Sequence, residues 1–131
     1  MQIKNKSIKY EFVSEIPSKK NSKRIISFGN GRRGLISSKN YLQWEEEQLW
    51  LLKTHKHKTV KKCDSIVVGL YFEYNRRKDL SNVWEGVGDL LVKAGILEDD
   101  NFNVIPILQI SYLGKRSPSL CTVEIINPQY E

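Results

Sequence analysis

The strongest constraint on the fold is a seven-residue run, Ile66-Val67-Val68-Gly69-Leu70-Tyr71-Phe72, that is almost wholly apolar. A strand apolar on both of its sides has to be covered on both, so this run is expected in the middle of a sheet. It delivers the chain to Asn75-Arg76-Arg77-Lys78-Asp79. In open sheets built this way, sites gather at such carboxyl ends of strands.

The stretch from Asp79 to Asp100 follows at once. It holds six of the fifteen acidic residues (Asp79, Glu85, Asp89, Glu98, Asp99 and Asp100) in a chain of net charge +6. Val83, Val87, Leu90, Leu91 and Ala94 recur at helical spacing and make one apolar stripe. Glu85 and Asp89, four residues apart, fall together on the opposite side. Gly95 stands where a left-handed cap ends a helix, with Ile96 or Leu97 to supply the accompanying apolar contact. A helix of about fifteen residues is only about 22 Å long. Acids at its two ends meet only if a neighbouring element brings them together. Taken alone, Asp79 also reads as a helix cap, Glu85 and Asp89 as a solvated face, and Glu98-Asp99-Asp100 as an ordinary turn.

The rest of the chain supplies the neighbours. Residues 3 to 16 alternate loosely and predict a first strand, ended by Pro17. Arg24 to Phe28 and Gly34 to Ile36 read as short strands of a hairpin, joined through Gly29-Asn30-Gly31. A helix is expected from Ser37 or Ser38 to about His55, with Tyr41, Leu42, Leu49 and Leu52 as its apolar side. Glu45, Glu46 and Glu47 read as a solvated run that suits the helix dipole. Trp44 and Trp50 fall off the stripe and are expected over a second surface or a partner. His55 and His57 lie in a basic linker. Val104 to Tyr112 predicts a strand whose Pro106 argues for an edge position or a bulge. Leu120 to Ile126 predicts a final strand paired with its predecessor. The expected fold is α+β: a single domain over residues 1–131, with a mixed β-sheet packed by two helices.

At 131 residues the chain can bury one core without staples. An apolar fraction of 40% and a charged fraction of 27% suit a globular protein. The basic excess suggests a polyanionic partner. No apolar run approaches the roughly 20 residues needed to cross a bilayer, so no membrane partner is expected. The first residues lack a signal-peptide core, and a cytoplasmic location is expected. Cys63 and Cys121 are expected as free core thiols, and no Cys/His cluster has zinc spacing.

Arg77-Lys78-Asp79-Leu80-Ser81-Asn82, then the striped helix, then Lys93-Ala94-Gly95-Ile96-Leu97-Glu98-Asp99-Asp100-Asn101 resembles the core signature of the RusA-type Holliday junction resolvases. Pro17-Ser18-Lys19-Lys20-Asn21-Ser22-Lys23-Arg24 is similar to that family's proline-serine-asparagine loop. The resemblance runs from about Ile16 to Ile126. It implies a RusA-like fold and a homodimeric endodeoxyribonuclease that uses Mg²⁺, with Mn²⁺ as a substitute, to cut four-way DNA junctions in recombination and repair. It places the catalytic acids at Asp79, Asp99 and Asp100, with Asp100 the ligand of the pair, and matches Asn82.

Two positions depart from the family pattern. Ser81 stands where a second aspartate is usual, and Glu85 where a lysine is usual. Helical side chains lean toward the N-terminus, so Glu85 can reach back one turn toward position 81. The expected catalytic set is Asp79, Glu85, Asp99 and Asp100, with Asp79, Glu85 and Asp100 on the metal. Hard Mg²⁺ takes such oxygen ligands. The expected phosphate-binding residues are Lys19, Lys20, Asn21, Lys23, Arg24, Arg32, Arg33, Arg76, Arg77, Lys78, Asn82, Lys115 and Arg116. Two alternatives stay open: a DNA-binding module whose metal site has decayed, and a nuclease for a different branched or flap substrate.

Overall fold

The architecture follows from the buried run and the helix after it. The computed structural model describes residues 6–17, 39–54, 58–73 and 78–131, and the backbone of 23–27 and 33–37. In chain order the elements are β1 (Ser7–Phe12), β2 (Lys23–Ser27), β3 (Arg33–Ser37), α1 (Lys39–Lys53), β4 (Ser65–Phe72), α2 (Leu80–Lys93), β5 (Leu108–Lys115) and β6 (Leu120–Ile126). This is a single α+β domain with two helices and a four-stranded mixed sheet in the order β1-β6-β4-β5. β2 and β3 form the expected hairpin, antiparallel from Lys23↔Ser37 to Ser27↔Arg33. Its predicted turn, Gly29 to Gly31, lies outside the described residues, as do His55 and His57. None of the helices is long and apolar enough to cross a membrane among the described residues.

β4 is interior, as expected, between β6 and β5. Ile66, Val68, Leu70 and Phe72 point to the face that the helices cover, where they meet Val83, Val87, Leu90 and Leu91 of α2, and Tyr41 and Leu52 of α1. β6 adds Cys121, Val123 and Ile125 to the same face, and β1 adds Phe12. The alternate residues of β4 are less covered than the expectation of two closed faces requires: Val67 and Tyr71 are half-buried. Both helices lie on one side, so the other side of the sheet faces outward. Gly69 is buried there because Leu113 and Thr122 close over it.

Two further expectations are corrected. β6 does not pair with β5; it pairs antiparallel with β4 and β1, while β5 runs parallel to β4. The connection from β5 to β6 therefore steps over β4, a distance of two strand spacings or about 10 Å, which four extended residues span. Two bonds from β4 and its exit hold this crossing: the Arg116 amide donates to the Phe72 carbonyl (2.8 Å), and the Glu73 amide donates to Ser119 Oγ (3.1 Å). Second, β5 starts at Leu108. Val104 and Ile105 are buried in a turn before it, and Pro106 precedes the strand. The expected edge position holds, since β5 is an outer strand.

In α1 the buried side is Tyr41, Trp44, Glu45, Gln48 and Leu52, while Leu42 is exposed. Trp44 thus faces the core, three residues after Tyr41 and four before Gln48, and its Nε1 donates to Ser14 Oγ (3.2 Å). Glu45 is buried rather than solvated, whereas Glu46, Glu47 and Trp50 are exposed. Cys63 and Cys121 are free and buried, as expected. Burial pushes the Cys121 thiol up to about 12, which keeps it an inert core group.

The stripe of α2 supplies the helix side of this core. Leu90→Ala, at a position with no exposure, is expected to cost roughly 2–5 kcal/mol in chemical denaturation, because the packed surroundings cannot collapse fully into the space left.

Candidate functional site

Asp79 begins the site. Its backbone is extended (φ −72°, ψ 128°) and its carbonyl accepts from the amides of Asn82 (3.1 Å) and Val83 (3.2 Å), which starts α2. The position is the N-cap, yet the side chain makes no capping hydrogen bond. Instead, the carboxylate accepts from Asn82 Nδ2 at 3.5 Å, at the long end of hydrogen-bond range. Asp79 is exposed and Asn82 is 7% exposed. Asn82, expected among the phosphate contacts, is thereby placed behind Asp79. The helix N-terminus favours negative charge at this place.

Lys78 is turned into the fold. Its ammonium donates to the Ile16 carbonyl and pairs with Glu15 (3.4 Å), tying the approach to α2 to the segment after β1. Lys115 and Arg116 are exposed at the end of β5, beside the carboxyl end of β4 through the Phe72↔Lys115 register. Lys23, Arg24 and Arg33 lie on the β2–β3 hairpin. Lys19, Lys20, Asn21, Arg32, Arg76 and Arg77 lie outside the described residues.

The other end of α2 closes as the glycine predicted. Gly95 has φ 76°, the Gly95 amide donates to the Val92 carbonyl (3.0 Å) and the Ile96 amide to the Leu91 carbonyl (2.9 Å), with Ile96 buried. The Glu98 amide then donates to the Val60 carbonyl (2.9 Å), which turns the chain back along the helix. From here the two neighbouring aspartates divide. Asp99 is used by its own turn: Oδ1 accepts from the Asp100 amide (2.8 Å) and Oδ2 from Asn101 Nδ2 (3.0 Å). Asn101 Oδ1 in turn accepts from the amides of Asn103 (3.0 Å) and Val104 (3.3 Å). Asp100 leans on the helix, with Oδ2 3.5 Å from where a Cβ on Gly88 would stand and the Trp84 ring at 3.1 Å from the same point. A side chain at 88 would crowd the indole and meet the carboxylate.

Asp100 is exposed, yet partial desolvation raises its carboxyl above its ordinary value, helped by a hydrogen bond shared with the Asp99 carboxyl and by the charges of Asp99 and Asp89, while its own backbone amide opposes the rise. Asp89 was legible only as part of a polar helix face. In the fold it lies half-buried between the two helices, with Lys93 Nζ 3.2 Å from its Oδ2. The same ammonium donates to both oxygens of Glu45 (2.9 and 3.1 Å), and the Tyr41 hydroxyl donates to Glu45 Oε2 (3.1 Å). The Glu45 hydrogen bond is the largest influence raising the Lys93 ammonium; burial opposes it and Asp89 adds to it. Tyr41, Glu45, Lys93 and Asp89 thus join α1 to α2, the helix on which Asp100 leans. The signal available in the sequence was the four-residue spacing of Asp89 and Lys93.

Glu85 is exposed and makes no hydrogen bond or ion pair among the described residues. The charges that raise Asp100 are those of Asp99 and Asp89; neither Asp79 nor Glu85 figures among them. Among the described residues, no three His, Cys, Asp or Glu side chains group closely enough to hold a metal ion. Asp79, Glu85 and Asp100 as they stand do not make a metal cage.

Raising the Asp100 carboxyl means that its ionised form is disfavoured by folding. The folded state is relieved as the group is protonated in acid and carries the cost above its folded pKa. Asp100→Asn is therefore expected to stabilise the fold near pH 7, and to gain nothing near pH 3, where the carboxyl is largely protonated in both states. Denaturant unfolding at the two pH values reads the difference.

No protein-family model and no curated protein matches this chain.

Proposed function

We propose that the chain is a divalent-metal-dependent endodeoxyribonuclease that cuts branched DNA, with four-way junctions as its substrate and a homodimer as its working form. One observation carries the reading. The two halves of the motif that resembles the RusA-type resolvases lie at the two ends of one helix, and each brings an exposed aspartate to it. Asp79 sits at the N-cap without capping, and Asp100 leans back against the helix while Asp99 holds the loop.

The chain's own contribution is charge and placement. Asn82 orients Asp79 from behind. The Lys115–Arg116 turn lies at the same end of the sheet as the β4-to-α2 connection, where it can hold a backbone phosphate. Such phosphate contacts are independent of sequence and weaken with salt. The metal's part is not built by these acids as they are placed.

That shortfall, with Ser81 in place of an aspartate, favours a second reading: a protein that binds branched DNA without cutting it. A nuclease for another branched or flap substrate would use the same residues. Cleavage of a synthetic four-way junction with magnesium or manganese separates these readings, with a panel of flaps and forks beside it. The nuclease reading expects cutting that Asp79→Asn abolishes while binding in calcium persists. If Glu85 compensates for Ser81, Glu85→Gln also abolishes cutting. Alanine at Lys115 or Arg116 is expected to weaken binding and flatten the salt slope by up to about one per lost phosphate contact. Tight junction binding with no cutting in either metal would make the non-catalytic reading the correct one.

A further inference from the structure

β5 is an outer strand that pairs with β4 on one side and with no strand on the other among the described residues. Sheet edges are ordinarily guarded with charge, proline or a bulge, because their open N–H and C=O groups accept another strand. The opposite edge follows that rule, since β1 exposes Lys9 and Glu11. β5 follows it only at its ends, with Pro106 before it and a register shift near Gly114. From Asn101 to Gly114 there is no charged residue, in a chain of which 27% is charged. Ile107 (61% exposed), Leu108, Tyr112 (52%) and Leu113 (49%) all reach solvent. They do so on both faces: Leu108 and Tyr112 are in register with Ile66 and Leu70 on the helix side, and Leu113 covers Gly69 on the other. An apolar, uncharged strip thus lies along an open hydrogen-bonding edge.

We propose that β5 pairs antiparallel with β5 of a second copy, about a two-fold axis near Ser111, so that two four-stranded sheets become one of eight strands. Charge selects this occupant. Pairing about Ser111 sets Lys115 of one copy beside Ile107 of the other, so the basic strand ends do not meet, and every pair between Leu108 and Gly114 is uncharged. The strip offers nothing for a strongly charged partner to read, and pairing about Ser111 sets Ile110 of each copy beside Tyr112 of the other, the same patch on both sides of a two-fold axis. The exposed outer face of α1, with Trp50, fits a second copy less well. Glu46 is the middle residue of that helix and Glu47 its neighbour, so an antiparallel self-contact would bring like charges together. In the eight-stranded sheet the two Lys115–Arg116 turns stand at opposite ends of the shared strand pair, about 26 Å apart along it at 3.3 Å per residue. The proposal rests on the homodimer of the proposed function and names its interface, and it does not depend on whether the chain cuts DNA.

Sedimentation equilibrium of the full chain at tens of micromolar tests it. The expected mass is twice 15.2 kDa. Leu108→Lys and, separately, Gln109→Lys, at an exposed site that should not disturb the core, are expected to weaken association at least about tenfold, with circular dichroism to show that each is folded. Trp50→Glu is expected to leave the mass unchanged. Ser111→Cys is expected to give a disulfide-linked dimer on mild oxidation, because Cys63 and Cys121 are buried. A monomeric wild type, with or without junction DNA, overturns the proposal. So does a dimer that folded edge variants leave intact, or one that Trp50→Glu dissociates. The interface is judged by the mass alone: a dimer that never cuts DNA overturns the nuclease reading and leaves the interface standing.

Discussion

The packing of the α2 stripe against the helix-covered face of β4 is the contact on which the other arrangements depend. Val83, Val87, Leu90 and Leu91 have at most 1% exposure, and Ile66, Val68 and Leu70 opposite them have none. Because this contact fixes the axis and rotation of the helix, it sets where Asp79 starts and which side of Gly88 is open to Asp100. It also returns the chain so that β5 lies parallel to β4, since a strand, a packed helix and a parallel strand form one crossover unit. The candidate site and the open edge of the sheet are two outcomes of one hydrophobic contact.

Much of this was legible because it is periodic or punctuated. The 3.6-residue stripe, Gly95 as the cap, the apolar β4 and the β2–β3 hairpin all follow from local chemistry. What was not legible depends on what each element meets. Nothing local says that β6 inserts between β1 and β4; sequential strands usually pair, and here a held crossing at Arg116 to Ser119 carries the chain past its neighbour. Glu45 looked like part of an acidic run, and only the approach of Lys93 from the second helix, 48 residues away, makes its burial tolerable. Trp44 was misjudged because the inward side of α1 is centred on Tyr41, Glu45 and Gln48 rather than on its leucines. Asp89 belongs to the same class, since its role beside Asp100 arises only where a loop folds back.

The motif itself carries an instructive division. Adjacent aspartates in sequence are alike in composition but not in work: hydrogen bonds to Asp100 and Asn101 occupy both oxygens of Asp99, and this leaves Asp100 to face the helix. Ser81 and Glu85 are both exposed on the helix surface, so what stands at either position leaves the core untouched.

The place of β6 has a consequence for the order in which the protein can be made. β1 has β6 as its sheet neighbour, through pairs such as Phe12↔Cys121 and Ser7↔Ile126 that are more than 100 residues apart. During synthesis the first strand therefore leaves the ribosome with no partner, and it must wait while both helices, the hairpin and β4 emerge. Long-range pairing of this kind slows folding, since the loop must close before the contacts repay it. The alternation of Lys9 and Glu11 with Tyr10 and Phe12 keeps that waiting strand polar on one side, which suits a segment exposed longest before its sheet exists.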